Sequence, residues 1–238
     1  MEQKTSGGFI EKYLTPIAVV VGAGIIALAF MFGHGGAGSP TVNKQDQQAV
    51  AVNIADVKTD GEPFIGSPTA PSTLALWFDY QCPFCKQFEQ TITPQLIETY
   101  VKTGKLKIVF KDFQFLGEDS TTAALYAHAV WEAYPDHFYD WFKAVMDAQD
   151  DEGDQGFGDL ASIDKVTKEK VPAIDTAKIK SLMDSKKQAY MTMISASRAE
   201  GSSFGINGTP SLIVGTKLLS GAVPYSAVSA AVDESLKK

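Results

Sequence analysis

Cysteine is nearly absent from this chain: among 238 residues there are two, Cys82 and Cys85. Histidine is almost as scarce, with His34, His128 and His137 alone. A structural zinc site takes four ligands, usually two cysteine pairs or one pair with two histidines at fixed spacing, and the chain spells no such set. A disulfide closing so short a loop would remove little chain entropy, so a purely structural bridge is a poor explanation for the pair. Basic clusters are missing too. The net charge is -7, and Lys186–Lys187 is the longest internal basic run, which argues against a nucleic-acid binder. No Ser/His/Asp arrangement, phosphate loop, nucleotide motif or internal repeat stands out. The hydrophobic share of 45% is that of a globular protein and excludes a largely disordered chain.

Charge is also missing from one long stretch, Tyr13 to Asn43. Within it "LTPIAVVVGAGIIALAFMF", residues 14–32, approaches the ~20 apolar residues that cross a bilayer as a helix. Pro16 suits a helix start, and Gly22 and Gly24 are tolerated in membrane spans. A cleaved signal peptide is the competing reading, with Ala27–Ala29 as its small-residue site. The length of the run and the mixed charges before it (Glu2 and Glu11 against Lys4 and Lys12) favour a retained anchor. The expected organisation is a cytoplasmic segment 1–13, an anchor 14–32, a flexible linker 33–58 and a folded domain 59–238. His34 lies in the Gly-rich linker and reads as solvated.

In the folded part, "TLALWF" is a continuous apolar run of buried-strand length, and the cysteine pair follows it directly. Phe84, Phe88, Ile92, Leu96, Ile97, Tyr100 and Val101 then recur at helical spacing, so the cysteines stand at a helix N-terminus. Pro94 is expected to kink that helix, and Gly104 to end it. "KLKIVFKDF" alternates as a second strand. From about 118 to 203 the pattern is helical, with two helices over "TTAALYAHAVWEAY" and "HFYDWFKAVMDA" and a third starting at Asp175. Strands return at "SLIVG" and "KLLSGAV", joined by a tight Gly215–Thr216 turn, and "YSAVSAAVDESLKK" closes as a helix. The fold class is α/β, with a helical insertion at about 118–203 and a transmembrane helix preceding the domain.

A C-x-x-C at a helix start is a setting for redox chemistry. Unpaired N–H groups and the positive helix end stabilise a thiolate on the first cysteine, Cys82. Cys85 lies one turn deeper, shielded but within reach of it. Pro83 costs no hydrogen bond at the first helical position, and Phe84 offers apolar surface beside the sulfur. Thr209–Pro210 stands directly before a strand, where proline need not donate to a ladder, and either isomer is open at its X–Pro bond. Asp79 and Lys111 are candidates for proton transfer, weighed against a polar strand end and a solvated lysine. His128 reads as a packed helix residue. The acidic stretch from Asp147 to Asp159 imitates a calcium loop, but Gln155 and Ala161 stand where glycine and glutamate belong, so it reads as a solvated loop. Met183 and Met193 read as core, although with Met191 they could line a tolerant peptide groove. No metal site is expected.

"FDYQCPFC" and "GTPSLIVG" together resemble the thioredoxin superfamily, and within it the DsbA-like branch; the resemblance covers Phe64 to Leu236. It implies a thioredoxin-like fold and a nucleophilic Cys82 with Cys85 resolving. It also implies a substrate-binding surface at Thr209, Pro210, Pro83 and Phe84, and no metal or organic cofactor. Implied partners are exported cysteine-containing proteins and a quinone-linked membrane redox protein, with the domain monomeric and on the extracytoplasmic side of the cell membrane. Two departures bear on the direction of electron flow. Phe84 stands where well-studied members have histidine, and Leu76 where many carry a buried acid six residues before the first cysteine. Disulfide introduction is the expected activity. A tethered reductase or isomerase is the rival within the same chemistry, and a non-redox binding or chaperone module the rival outside it.

Overall fold

The computed structural model describes residues 51–150 and 157–237. The expected anchor at 14–32, the first part of the linker and part of the acidic loop lie outside them. Among the described residues no helix is long and apolar enough to cross a membrane.

Five strands form one sheet in the order β1-β3-β2-β4-β5. They are β1 (Phe64–Ile65), β2 (Ser72–Phe78), β3 (Leu106–Asp112), β4 (Ser211–Val214) and β5 (Lys217–Ser220). The central pair β2 and β3 runs parallel, with Leu76 beside Phe110 and Trp77 beside Lys111. The other pairings are antiparallel. Parallel neighbours need a crossover, and it is supplied by α1 (Pro83–Thr91), the short α2 (Thr93–Leu96) and a single wide turn at Ile97–Val101. The break falls at Ile92, ahead of Pro94, because proline leaves the carbonyl four residues earlier without a donor and its ring crowds that turn. Gly215–Thr216 makes the two-residue hairpin between β4 and β5, with Gly215 at positive φ.

Side chains alternate across β2, and the two faces have different companions. Leu74, Leu76 and Phe78 join the main core with α1, the insertion and the C-terminal α7 (Tyr225–Ser235), whereas Ala75 and Trp77 join a smaller cluster with Val52, Val57, Phe113, Ile206 and Ile213. Residues 51–58 are therefore not linker. Val52 and Val57 are buried, and the Ile54 N–H donates to the Gly215 carbonyl at 2.7 Å.

Among the described residues the insertion holds four α-helices, α3 (Glu118–Ala133), α4 (Phe138–Ala148), α5 (Leu160–Lys170) and α6 (Thr176–Ser203), where three were expected. The extra one, α5, is capped by Asp159, which accepts from the Ser162 N–H at 2.8 Å. Asp175 caps α6, as expected. The insertion joins the main core through Phe138, Trp141 and Phe142, which meet Phe78, Tyr80 and Phe110 in mostly edge-on or tilted ring contacts.

Candidate active site

The chain leaves the end of β2 at Phe78 and turns through Asp79–Gln81 into α1. The turn is built by one carboxylate. Asp79 is fully buried and accepts from the N–H groups of Gln81, Phe115 and Leu116 and from the Ser120 hydroxyl. With both oxygens engaged by four donors, it fastens the loop after β3 and the start of α3 to the turn before the cysteines. That is a structural role, and it leaves no oxygen free to shuttle protons.

Cys82 occupies the N-cap position of α1, with extended backbone, and Pro83 follows in the first turn. The sulfur thus sits where a serine or aspartate oxygen would receive the first helical N–H groups. Both thiols are free in this structure. The Cys82 thiol donates to the Thr209 carbonyl at 3.4 Å, across a Thr209–Pro210 bond that is cis. Its pKa is lowered from 9.0 to about 6, chiefly by the hydrogen bond from the Cys85 thiol, with help from the Thr209 side chain and the backbone N–H groups of Cys85 and Phe84, all against the opposing effect of burial. Cys85 shifts the other way. Burial pushes its thiol well above 9.0, and the neighbouring Cys82 adds to that. One sulfur is prepared to be a thiolate and the other to remain a thiol.

The surroundings match this division. Phe84 is 56% exposed beside the sulfurs. It begins a groove of about 210 Å³ lined by Phe88 on α1, by Ile92 just past its end and by Val223–Pro224 across from them. Behind Cys85 lies a tightly packed apolar recess whose lining includes Leu76, Phe142, Met146, Pro210 and the buried Glu89. The sequence reading missed Glu89, although Cys85, Phe88, Glu89 and Ile92 follow helical spacing and so share a face.

The structure brings Cys82, Cys85, Pro83, Phe84, Thr209 and Pro210 together. Lys111 is elsewhere. It is 1% exposed rather than solvated, and it points to the opposite face of the sheet, under Trp77. There its ammonium pairs with Glu62 and Glu200 and donates to the Lys58 carbonyl at 2.8 Å. His128 is packed, as expected, and its ring also pairs with Asp112 at 2.7 Å and stacks on Tyr190. Among the described residues no group of His, Cys, Asp and Glu side chains could hold a metal ion.

The profile of the thioredoxin family matches residues 58–234. The disulfide bond formation protein D of Bacillus subtilis is 28% identical over 200 residues, covering 82% of this chain and 86% of its own. A probable disulfide bond formation protein D of Bacillus anthracis is 26% identical, covering 73% and 78%. Among solved structures, oxidised BdbD from Bacillus subtilis superposes with a TM-score of 0.71 at 25% identity, over 80% of this chain and 99% of that one. The thiol-disulfide exchange protein alpha-DsbA2 from Wolbachia pipientis gives 0.63 at 27% identity, over 73% and 86%. With a thiolate-forming cysteine at a helix start and a cis proline facing it, the chain belongs to the thioredoxin family as a DsbA-like thiol–disulfide oxidoreductase.

Proposed function

We propose that this oxidoreductase works as a disulfide donor to exported proteins, tethered to the membrane by residues 14–32 with its domain outside the cytoplasm. The observation that carries the donor reading is the opposite displacement of the two thiols, Cys82 down to about 6 and Cys85 well up. A stabilised Cys82 thiolate is a good leaving group, and it favours the reduced enzyme, which makes the enzyme disulfide oxidising. Each pKa unit corresponds to about 1.4 kcal/mol, or roughly 30 mV for a two-electron couple. The names of the Bacillus relatives agree with this direction. The anchor rests on the uncharged run in the sequence.

In the donor direction a substrate thiolate attacks Cys82 and breaks the Cys82–Cys85 bond. The mixed disulfide lies against Thr209–Pro210, with Pro83, Phe84 and the adjoining groove receiving the flanking peptide. A second substrate thiolate then attacks the substrate sulfur and expels the Cys82 thiolate. The substrate leaves with a disulfide and the enzyme as a dithiol. A quinone-linked membrane protein is the proposed acceptor of the two electrons on reoxidation. The test is the equilibrium potential of the full chain in detergent against glutathione. A value near -120 to -180 mV is expected for a donor, and one near -270 mV would assign a reductase instead. A Cys82→Ser variant that still performs the protein's cellular role would place the function in binding rather than exchange.

A further inference from the structure

The chain has three asparagines, Asn43, Asn53 and Asn207, and the last alone is followed by glycine. Asparagine is thermolabile because its side-chain amide is an electrophile within reach of the next residue's backbone nitrogen. Closure to a succinimide ring is hindered least where that next residue has no β-carbon. Asn207 and Gly208 lie in the loop that runs from the end of α6 to the cis Thr209–Pro210 bond and β4. We propose that Asn207 is a self-modification site. The Gly208 nitrogen attacks its side-chain carbonyl, ammonia leaves, and the active-site loop ages to aspartyl and isoaspartyl forms.

Asn207 is exposed, and neither its amide nor the Gly208 N–H makes a hydrogen bond among the described residues. Asn53 is the contrast: its Oδ1 accepts from the Ala55 N–H at 3.0 Å, and the branched Ile54 follows it. The loop is held on either side of the reacting peptide and not at it. The buried Ile206 donates its N–H to the Gly201 carbonyl at 3.0 Å, and the Gly208 carbonyl accepts from the Ser211 hydroxyl at 2.8 Å. A β-carbon at Gly208 would meet nothing within 4 Å, and its φ lies outside the left-handed region, so neither packing nor backbone demands glycine there. In the closing step a bond forms between the Gly208 nitrogen and the Asn207 side-chain carbon. The bond to the amide nitrogen breaks, and the Gly208 proton passes through solvent to the departing ammonia. Water then opens the ring. Attack at the side-chain carbonyl gives aspartate. Attack at the main-chain carbonyl gives isoaspartate, with the backbone rerouted through the side chain and lengthened by a methylene. That extra length enters the segment that sets the Thr209 carbonyl, the acceptor of the Cys82 thiol at 3.4 Å. The isoaspartyl form is therefore impaired in thiol exchange, a consequence that rests on the oxidoreductase reading, whereas the modification itself does not.

The test incubates the reduced full chain in detergent, under argon, at mildly acid and mildly alkaline pH. Peptide mapping by mass spectrometry reads aspartate and isoaspartate at each asparagine, and the rate of reaction with oxidised glutathione is read on the same samples. Asn207 should convert faster at the alkaline pH and at least ~10-fold faster than Asn53, whose amide is held. The glutathione rate should fall in step with the isoaspartate content. Gly208→Ala, which crowds the attacking nitrogen, and Asn207→Ser, which removes the electrophile, should keep their starting rates through the same incubation. The map of the wild type decides without reference to any variant's folding: an Asn207 that stays intact, or converts no faster than Asn53, overturns the inference. A glutathione rate independent of isoaspartate content overturns the cost to Cys82. Fresh wild type that does not react with glutathione removes the oxidoreductase assignment, and the map still decides on Asn207.

Discussion

Two ionisable side chains, Lys111 and Glu89, are buried on opposite faces of the same sheet and are treated in opposite ways. Lys111 has two carboxylates and a carbonyl around its ammonium. Glu89 has one hydroxyl, and its second oxygen is buried without a hydrogen-bond partner. A buried charge that is fully paired is fixed and serves the fold. A buried carboxyl with one oxygen left unsatisfied is held near the point of changing state, and the fold carries that cost where the redox chemistry is.

The largest expected effect comes from breaking the paired side. Lys111→Ala leaves the buried Glu62 and the half-buried Glu200 without their counter-charge and should cost about 3–5 kcal/mol in urea denaturation. The Cys82 thiol should still titrate near its wild-type position, since the two sites are on different faces. Glu89→Gln should act in the other sense. The folded-state pKa of Glu89 is raised from 4.5 to about 7, so the wild type loses stability as pH climbs between those values. The amide does not ionise and can still accept from Tyr139. The variant should therefore be more stable than the wild type by roughly 3 kcal/mol at pH 8, and the gain should vanish below about pH 4.5. Denaturation at the two pH values checks both sign and window.

The smallest effect is expected at His128, which combines the two treatments. Burial lowers its pKa, but the Asp112 carboxylate outweighs burial, and the net shift is upward from 6.5. A raised histidine stabilises fully below its unfolded pKa and loses that contribution as pH rises through the folded one. His128→Gln should cost about 1 kcal/mol near pH 6 and less at pH 9, read from melting temperatures across that range. A penalty that grew with pH would reverse the assignment.

Much of this arrangement was legible in the residues. The apolar β2 run, the adjacent cysteine pair, Pro83 in the first turn and the Thr209–Pro210 loop before β4 carry short-range signals, and each stands where the pattern placed it. What misled was partnership at a distance. Alternation along β3 says that Lys111 faces away from Phe110, but not that Glu62 and Glu200 await it there. Asp79 looks like a polar strand end because the donors that use it up, Phe115, Leu116 and Ser120, come more than thirty residues later. Glu89 sat on a readable helical face and needed only the question of which side was buried. The α5 helix was overlooked because polar residues dominate it and an acidic stretch precedes it.

Helix α6 gives the insertion a meaning that its place in the chain order hides. Along its first two-thirds it buries Ile179, Tyr190 and Ile194 in the main core, while nearer its end the Ser197 carbonyl accepts from the Trp77 indole N–H and Glu200 meets Lys111. Gly201 lies so close against Trp77 that a β-carbon there would collide with the ring. The helical block is therefore a strap whose buckle is on the far side of the sheet. Cutting it out and rejoining the ends would unroof Trp77 and take one of two carboxylates from the buried Lys111 ammonium in one stroke. A minimal thioredoxin fold cut from this chain would need new side chains to cover Trp77 and to replace Glu200.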